Sequence, residues 1–298
     1  MGSDVAGFSL SVVVGCMGRK IEAEQFIPYT SKQLGVQDEI MLVDWDDPDL
    51  VGAWAVGLND PHLTVVRVAP CCWFEPNRQR NVGLRHAVGE IVIVSDIDHL
   101  MPEALLAECR CLKEKTFLVA PSSVGSYGWL CCRWADWRAV NGYEEALSGY
   151  GFDDFYHRES LNQYGLRMVL ASTAPYPVQR EAKVRFYPDE KLTTSHHVNM
   201  RIGKALRIYS PFRGNFARNF GWGGEVLCSS EARKNAPEAR TRLSREWWGS
   251  GRDAVHLAAG GSSRSDAVVR EQPRLAAVPS GKPSGPECAQ PVAARAAV

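Results

Sequence analysis

The stretch GEIVIVSDIDHLMP, residues 89–102, decides how the rest of the chain is read. Ile91, Val92, Ile93 and Val94 form an unbroken β-branched run, the composition of a strand buried on both faces of a parallel sheet. The run stops at Ser95-Asp96-Ile97-Asp98, where two carboxylates at a spacing of two can project together from a strand's carboxyl end. That edge of an open α/β sheet is where ligands bind. Hard oxygen donors of this kind suit Mg²⁺ or Mn²⁺, which take one or two protein carboxylates and leave other positions to phosphate oxygens and water. An isolated D-x-D is more often a solvated strand end, so the neighbouring segments carry the decision.

Upstream, Phe8 to Val14 reads as a first buried strand stopped by Gly15. Arg19 to Leu34 has Ile21, Phe26, Ile27 and Leu34 at helical spacing, with Pro28 predicting a kink or break. Glu39 to Val43 is a second strand, again ending in acids, Asp44-Trp45-Asp46-Asp47-Pro48. Leu63 to Val68 is a third strand and Pro70 to Pro76 a loop. Asn77 to Val88 is a helix with Val82, Leu84, Ala87 and Val88 apolar and Arg78, Arg80 and Arg85 charged. The resulting β-α-β-β-α-β order predicts an α/β fold with a mostly parallel central sheet and helices on its faces.

Downstream, Met101 to Glu114 is a helix and Phe117 to Ala120 a short strand. Residues 125–142 are rich in Gly, Trp and Tyr; Trp129, Trp134 and Trp137 there are either a hydrophobic sub-core or a wall on which a sugar ring stacks. Next come Asn141-Gly142-Tyr143-Glu144-Glu145 and Ser148-Gly149-Tyr150-Gly151-Phe152-Asp153-Asp154-Phe155. Asp153 and Asp154 open a helix through His157, Leu161 and Tyr164, so they serve either as first-turn acids or as a general base desolvated by the nearby rings. Further on lies Thr194-Ser195-His196-His197-Val198; in extended chain adjacent histidines face opposite ways, so at most one reaches a given site. Between Asn199 and Gly224 stand Arg201, Lys204, Arg207, Arg213 and Arg218 with no acid, a solvated loop or a clamp for a diphosphate or anionic lipid surface.

The 298 residues divide into a main domain over 1–228, a short helix within 229–248 capped by Ser229 or Ser230, and a Gly-, Ser-, Ala- and Pro-rich tail over 249–298 expected to be disordered. Thirty-four basic residues balance thirty-four acidic ones, so the net charge predicts no nucleic-acid partner. Nine cysteines include the pairs Cys71-Cys72 and Cys131-Cys132, but no zinc-type spacing recurs, which predicts reduced thiols and a cytoplasmic setting. The amino terminus has an acid and no basic residue before its short apolar run, a poor signal peptide. No stretch approaches the roughly 18 apolar residues of a membrane span, which leaves peripheral membrane contact open.

Taken in order, the acid-rich loop at Asp44, the Asn77-Arg78-Gln79-Arg80-Asn81-Val82-Gly83 helix, the S-D-I-D strand end, N-G-Y-E-E and G-Y-G-F-D-D resemble a GT-A-fold glycosyltransferase of the family 2 type. The later segment resembles the galactosyltransferase-type carboxy-terminal motif, and the likeness covers roughly residues 8–200. It implies a single Rossmann-like GT-A domain. It also implies a metal-dependent enzyme that moves a sugar from a nucleotide sugar, of the UDP type, to an acceptor hydroxyl. Asp96 and Asp98 match the D-x-D that holds Mn²⁺ or Mg²⁺ on the donor diphosphate, with Asp96 also nearer the ribose or sugar. Asp44 matches the acid that contacts uracil, and Arg80 a donor-binding arginine. Asp153 and Asp154 fall on the acidic pair that supplies the catalytic base in inverting members. His196 or His197 sits where several relatives place a further metal ligand.

The chain departs from this pattern in two places. Trp45 follows Asp44 where a second acid is usual, so Asp46 takes over part of the expected nucleotide contact. Tyr150-Gly151-Phe152-Asp153 replaces the usual Trp-Gly-Gly-Glu, which leaves the base divided between Asp153 and Asp154. Donor sugar and acceptor stay open, the acceptor being a carbohydrate, a lipid-linked sugar or a small molecule. A retaining transferase, a nucleotidyltransferase and a non-catalytic nucleotide-sugar binder are the competing classes; Gly15-Cys16-Met17-Gly18-Arg19-Lys20 is only a weak match to a nucleotidyltransferase phosphate loop.

Overall fold

The β-branched segments become the centre of an eight-stranded sheet in the computed structural model, which describes residues 8–71, 73–121, 127–178, 192–209, 215 and 225–236. The elements run β1 (Leu10–Cys16), α1 (Lys20–Ser31), β2 (Glu39–Asp44), α2 (Val51–Gly57), β3 (Leu63–Arg67), α3 (Pro76–His86), β4 (Ile91–Asp96), β5 (His99–Leu100), α4 (Glu103–Arg110), β6 (Thr116–Val119), β7 (Leu130–Arg133), α5 (Trp134–Ala139), α6 (Asp153–Tyr164), β8 (Arg167–Leu170), β9 (Tyr176–Pro177), α7 (Leu192–Tyr209), β10 (Glu225–Cys228) and α8 (Glu231–Lys234). Strand order is β10-β3-β2-β1-β4-β7-β6-β8, with β5 and β9 pairing separately. β1 pairs in parallel with both β2 and β4, β2 with β3, and β6 with β8; β7 and β10 run antiparallel to their neighbours.

Alternation along the central strands explains why they read as continuous apolar runs. Val12, Val14, Ile91 and Ile93 pack into one core with Ala23, Phe26 and Ile27 of α1, Val51 and Ala55 of α2, and Leu105 and Leu106 of α4. Val13, Val92 and Val94 pack into the opposite core with Val82 and Leu84 of α3, Trp137 of α5 and Leu161 of α6. Each fully buried Val, Ile or Leu contributes roughly 1.5–3 kcal/mol relative to exposure, so both cores hold the sheet. The chain leaves β1 toward β2 under α1 and returns to β4 from α3 on the other face. β1 is therefore the point at which the strand order reverses, where such sheets open a ligand cleft.

Several expectations are corrected. α1 is one helix with Pro28 inside it, not broken. α2 is an additional helix between β2 and β3; its seven residues, Val-Gly-Ala-Trp-Ala-Val-Gly, are too short and glycine-rich for a periodic signal. The aromatic segment holds β7 and α5, and two of its three tryptophans are core: Trp129 and Trp137 are fully buried, with Trp137 Nε1 donating to the Val92 carbonyl at 3.2 Å, while Trp134 is partly buried against the same core. Thr194–Val198 lies in α7 and is helical, not extended, so His196 and His197 diverge by a helical step. β1 continues through Gly15, with the Gln79 side-chain amide filling the place a Cβ there would take.

Toward the carboxy terminus, Ser230 caps α8 by accepting from the Arg233 amide at 3.1 Å. Its hydroxyl also donates to Glu39, which Ser11, Thr64 and the Val88 amide contact as well, so α8 is fastened to the amino-terminal edge of the sheet. The expected tail over 249–298 and most of 229–248 lie outside the described residues, as do Arg213 and Arg218. Among the described residues seven cysteines are free thiols, and no helix is long and apolar enough to cross a membrane.

Helix propensity and packing make opposite demands at Gly83 of α3. Alanine is favoured over glycine in a helix by up to about 1 kcal/mol. A Cβ at this position would meet Val13 Cγ1 at 2.2 Å, so α3 would have to lift off β1. We predict that Gly83→Ala destabilises the protein by about 1–3 kcal/mol in denaturant unfolding; a stabilised variant would show that the helix packs less closely than described.

Candidate active site at the carboxyl edge of the sheet

Register brings the strand-end acids to the same edge. Asp44, the last residue of β2, pairs with Cys16, the last of β1, while Asp96, the last of β4, pairs with Gly15. The two acids thus flank β1 from either side. Beyond Asp96 the chain turns through the buried Ile97, and Val178 donates its amide to the Asp98 carbonyl at 2.9 Å, followed by the β5–β9 pairing. This fixes Asp98 and His99 below the cleft, both nearly buried, while Asp96 is about half exposed.

Asp96, Asp98 and His99 form a group whose ligand atoms all lie within 4.8 Å of one another, with His99 Nδ1 2.7 Å from Asp98 Oδ1. Two carboxylates and an imidazole suit a divalent ion such as Mn²⁺. His99 directly follows the D-x-D, where the sequence pattern points instead to His196 or His197 as a further ligand. The structure does not bring those two into this group. His196 lies on α7 against the turn that precedes α6, at ring distances of 6.2 Å from Phe152 and 5.8 Å from His197, which is exposed.

The strand-end acids and the acidic pair meet at Arg80. Its Nη1 donates to Asp153 Oδ2 at 2.6 Å and to Asp154 Oδ1 at 3.0 Å, and its Nη2 to Asp96 Oδ1 at 3.3 Å. The guanidinium is nearly buried and lies 5.1 Å from the centroid of Tyr143. His157 stacks below at 4.2 Å from Tyr143 and 4.7 Å from Trp137, so Arg80 sits on a column of rings. Desolvation and then the nearby Arg80 charge push the His157 imidazole down to about 3, so it stays neutral. Asn77 and Asn81, one helical turn apart on α3, donate to the carbonyls of Glu144, Leu147 and Tyr143, and Asn81 also grips Glu145. The N-G-Y-E-E segment is thereby a clamp that fixes α3 and aims Arg80.

Asp153 and Asp154 reach Arg80 by way of an unusual backbone. Gly149, Gly151 and Phe152 all have positive φ, and Phe152 at +68° is a bulky residue in a left-handed conformation. Such a residue is costly and persists only where the surroundings hold it. Here α7 does so: Asn199 donates to the carbonyls of Ser148 and Gly151 at 2.9 and 3.0 Å, and the His196 ring fills the space in which a Cβ on Gly151 would sit. Asn199 is thus a positioning residue.

One cation faces three carboxylates in this cluster, which separates the two acids. Asp153 makes the shortest bond to Arg80 and is nearly buried; Asp154 keeps about a quarter of its side chain accessible. Desolvation and then repulsion from Asp153 push the Asp154 carboxyl up to about 7, against the opposing pull of Arg80.

The acids after β2 play different parts. Asp44 is buried beneath α2, accepts from the Asp47 amide at 2.8 Å, and its proton affinity is raised chiefly by burial. Asp46, partly exposed, pairs with Arg67 at 3.2 Å and accepts from the Cys71 amide. Asp47 accepts from Gly18 N at 2.6 Å and Cys16 Sγ at 3.2 Å, tying the exits of β1 and β2 together. Arg207, one of the basic-run residues, is engaged with α6: it donates to the Tyr156 carbonyl at 2.5 Å and lies over the Tyr156 ring.

Because folded Asp154 holds a proton more tightly than the unfolded chain does, its contribution to stability falls as pH rises from about 4 through about 7. Asp154→Asn should therefore raise the unfolding free energy at pH 8 by on the order of 1–4 kcal/mol, with the gain vanishing toward pH 4. Denaturant titrations at both pH values check this; a variant less stable at pH 8 would assign Asp154 a supporting ion pair instead.

No family model and no curated protein matches the chain. Solved structures do. S. aureus TarS residues 1–349, in complex with UDP-GlcNAc, superposes with a TM-score of 0.56 at 16% identity over 69% of this chain and 68% of that one. A longer TarS structure gives 0.53 at 16% identity over 69% of this chain, which spans 41% of it. GalNAc-T7 with UDP, GalNAc and Mn²⁺ gives 0.52 at 11% identity, over 69% of this chain and half of that one. Both are glycosyltransferases built on the GT-A fold, and this chain has the same fold.

Proposed function

We propose that the protein is a metal-dependent, inverting glycosyltransferase that moves a sugar from a nucleotide sugar of the UDP type to an acceptor hydroxyl. The observation that carries this reading is the Arg80 junction. On a GT-A sheet, one buried guanidinium joins a strand-end D-x-D to an acidic pair at a helix start, and one member of that pair has its proton affinity raised toward neutrality.

The donor set Asp96, Asp98 and His99 fits Mn²⁺ or Mg²⁺, with two hard carboxylates supplemented by an imidazole. His196 and His197 stay as candidates for a ligand only if α7 shifts toward the cleft. A bound ion supplies charge neutralisation for the departing diphosphate. Asp98 is held by the β5–β9 pairing and Asp96 by Arg80, so both carboxylates are preset and cost little reorganisation. Asp44 and Asp46, with Asp47 locking the β1 and β2 exits, form the floor for the nucleobase and ribose. Asp154 accepts the proton of the acceptor hydroxyl as that oxygen attacks the anomeric carbon from the face opposite the diphosphate. Asp153, neutralised by Arg80, holds the guanidinium in place. Arg201 and Lys204 are the exposed cations of the basic run placed on α7.

With nucleotide sugars as a panel, release of nucleoside diphosphate should require Mn²⁺ or Mg²⁺ and stop with EDTA. Asp98→Asn should weaken Mn²⁺ binding and turnover together, and Asp154→Asn should lower transfer by about 10²–10⁴-fold with donor binding nearly intact. The transfer rate should rise with pH to a plateau above about 7, as Asp154 loses its proton. Turnover that ignores EDTA and both substitutions would reject the reading.

A further inference from the structure

The two carboxylate oxygens of Asp96 have different neighbours. Oδ1 accepts from Arg80 Nη2 at 3.3 Å. Oδ2 lies against the main chain of Gly128, where a Cβ would meet it at 2.7 Å and would meet Arg80 Nη2 at 2.9 Å. Gly128 is buried and its φ is not left-handed, so what glycine supplies here is room. Backbone therefore covers the ion pair on one side and fences the carboxylate, whose side chain is otherwise 48% accessible.

The chain at residue 128 is pinned from both sides. Trp129 is buried in the core, and its Nε1 donates to Met101 Sδ at 3.3 Å, which ties the turn to the segment that follows His99. On the other side, Arg158 Nη2 donates to the Tyr127 carbonyl. Tyr127 brings no packing of its own, since its ring is 58% exposed. Arg158 Nε is buried with no hydrogen-bond partner among the described residues, which leaves the Tyr127 carbonyl as the anchor of this guanidinium. Arg158 stands one helical turn beyond Asp154 on α6, so the two share a helix face: Asp154 meets Arg80 directly, and Arg158 meets the turn that covers Arg80 and Asp96.

Resting on the transferase reading above, we propose that Arg158 is a positioning residue: from the helix that bears the acidic pair it holds residues 127 and 128 on the Arg80–Asp96 pair, and so presets the carboxylate that would meet the metal. α6 then governs both halves of the site, supplying Asp153 and Asp154 directly and fixing Asp96 through Tyr127 and Gly128. Loss of the grip frees the turn at Tyr127 while Trp129 stays anchored, so Gly128 lifts from Asp96 and the carboxylate gains rotamers that present no oxygen to the ion. A preset ligand costs less to engage than a mobile one. The charge of Arg158 acts in the opposite sense. A cation near a cluster of carboxylates opposes a divalent ion, so its removal by charge alone tightens Mn²⁺ binding. Positioning and charge thus predict opposite signs for one substitution.

The test is Mn²⁺ binding to the full chain without nucleotide, read from the electron paramagnetic resonance signal of the free ion. Arg158→Leu is expected to weaken binding about tenfold, the lower end of what loss of a partner behind a metal ligand costs. Arg158→Lys, which keeps a donor long enough to reach the Tyr127 carbonyl, should stay within about twofold of the parent. Gly128→Ala, whose Cβ displaces the tip of a flexible side chain, should weaken binding by about tenfold or more with the unfolding midpoint retained. Adding Arg158→Leu to it should change affinity by less than about twofold, because both act on one contact. Should Arg158→Leu not fold, Arg158→Gln, whose amide is too short for the carbonyl, carries the same expectation. Unchanged or tighter Mn²⁺ binding on loss of Arg158, or fully additive losses in the double variant, overturns the proposal. If the parent shows no Mn²⁺ binding that Asp98→Asn weakens, the metal-dependent reading fails and the proposal with it; if that binding is present and Arg158→Leu leaves it in place, the positioning role alone is wrong.

Discussion

Arg80 is the constraint on which the rest of this architecture depends. A guanidinium brought out of water costs several kcal/mol unless its donors are met, and carboxylates brought near one another repel unless a cation stands between them. Each half of the site therefore needs the other. The end of β4 contributes Asp96, the start of α6 contributes Asp153 and Asp154, and α3 carries the cation that holds them within bonding distance. Three acids to one base also leaves a net negative site. That surplus suits the divalent ion proposed for the site and raises the proton affinity of Asp154.

Much of the surrounding structure can be understood as support for this one side chain. The ring column of Tyr143, His157 and Trp137 is its base, and the neutral state of His157 avoids a second cation beneath the first. Asn77 and Asn81 lock α3 onto the N-G-Y-E-E segment, and Gly83 lets the helix lie close on β1. On the other side, α7 holds the left-handed turn at Gly151 and Phe152 so that α6 begins with its acids pointing at the guanidinium.

The sequence carried the sheet and the acids plainly, because both are written in local pattern. Buried parallel strands read as β-branched runs, so Ile91–Val94 and Glu39–Val43 were legible, as were the acids at Asp44, Asp96 and Asp98 that end or follow them. Short or glycine-rich elements were not: α2 and β7 have too few residues for a period to show. Long-range partnerships were also hidden. Nothing in the sequence brings Arg80 to Asp153, or Asn199 to Gly151, since these pairs are 73 and 48 residues apart. His99 has no signal of its own, being one residue among a D-x-D's neighbours; His196 and His197 stand out as a pair, but helical geometry sets His196 against Gly151 and Phe152. Trp129 and Trp137 were readable either as core or as a sugar platform, and burial decided for core.

The account turns on Asp154 being the proton acceptor and Arg80 being what tunes it. The most direct measurement is a ¹³C NMR titration of the Asp154 carboxyl, assigned through Asp154→Asn, in the parent protein and in Arg80→Gln. The prediction is a midpoint near 7 in the parent, moved upward in Arg80→Gln because the cation bonded to Asp154 has gone while Asp153 and Asp96 remain. A parent midpoint near 4, or one that Arg80→Gln leaves in place, would contradict it.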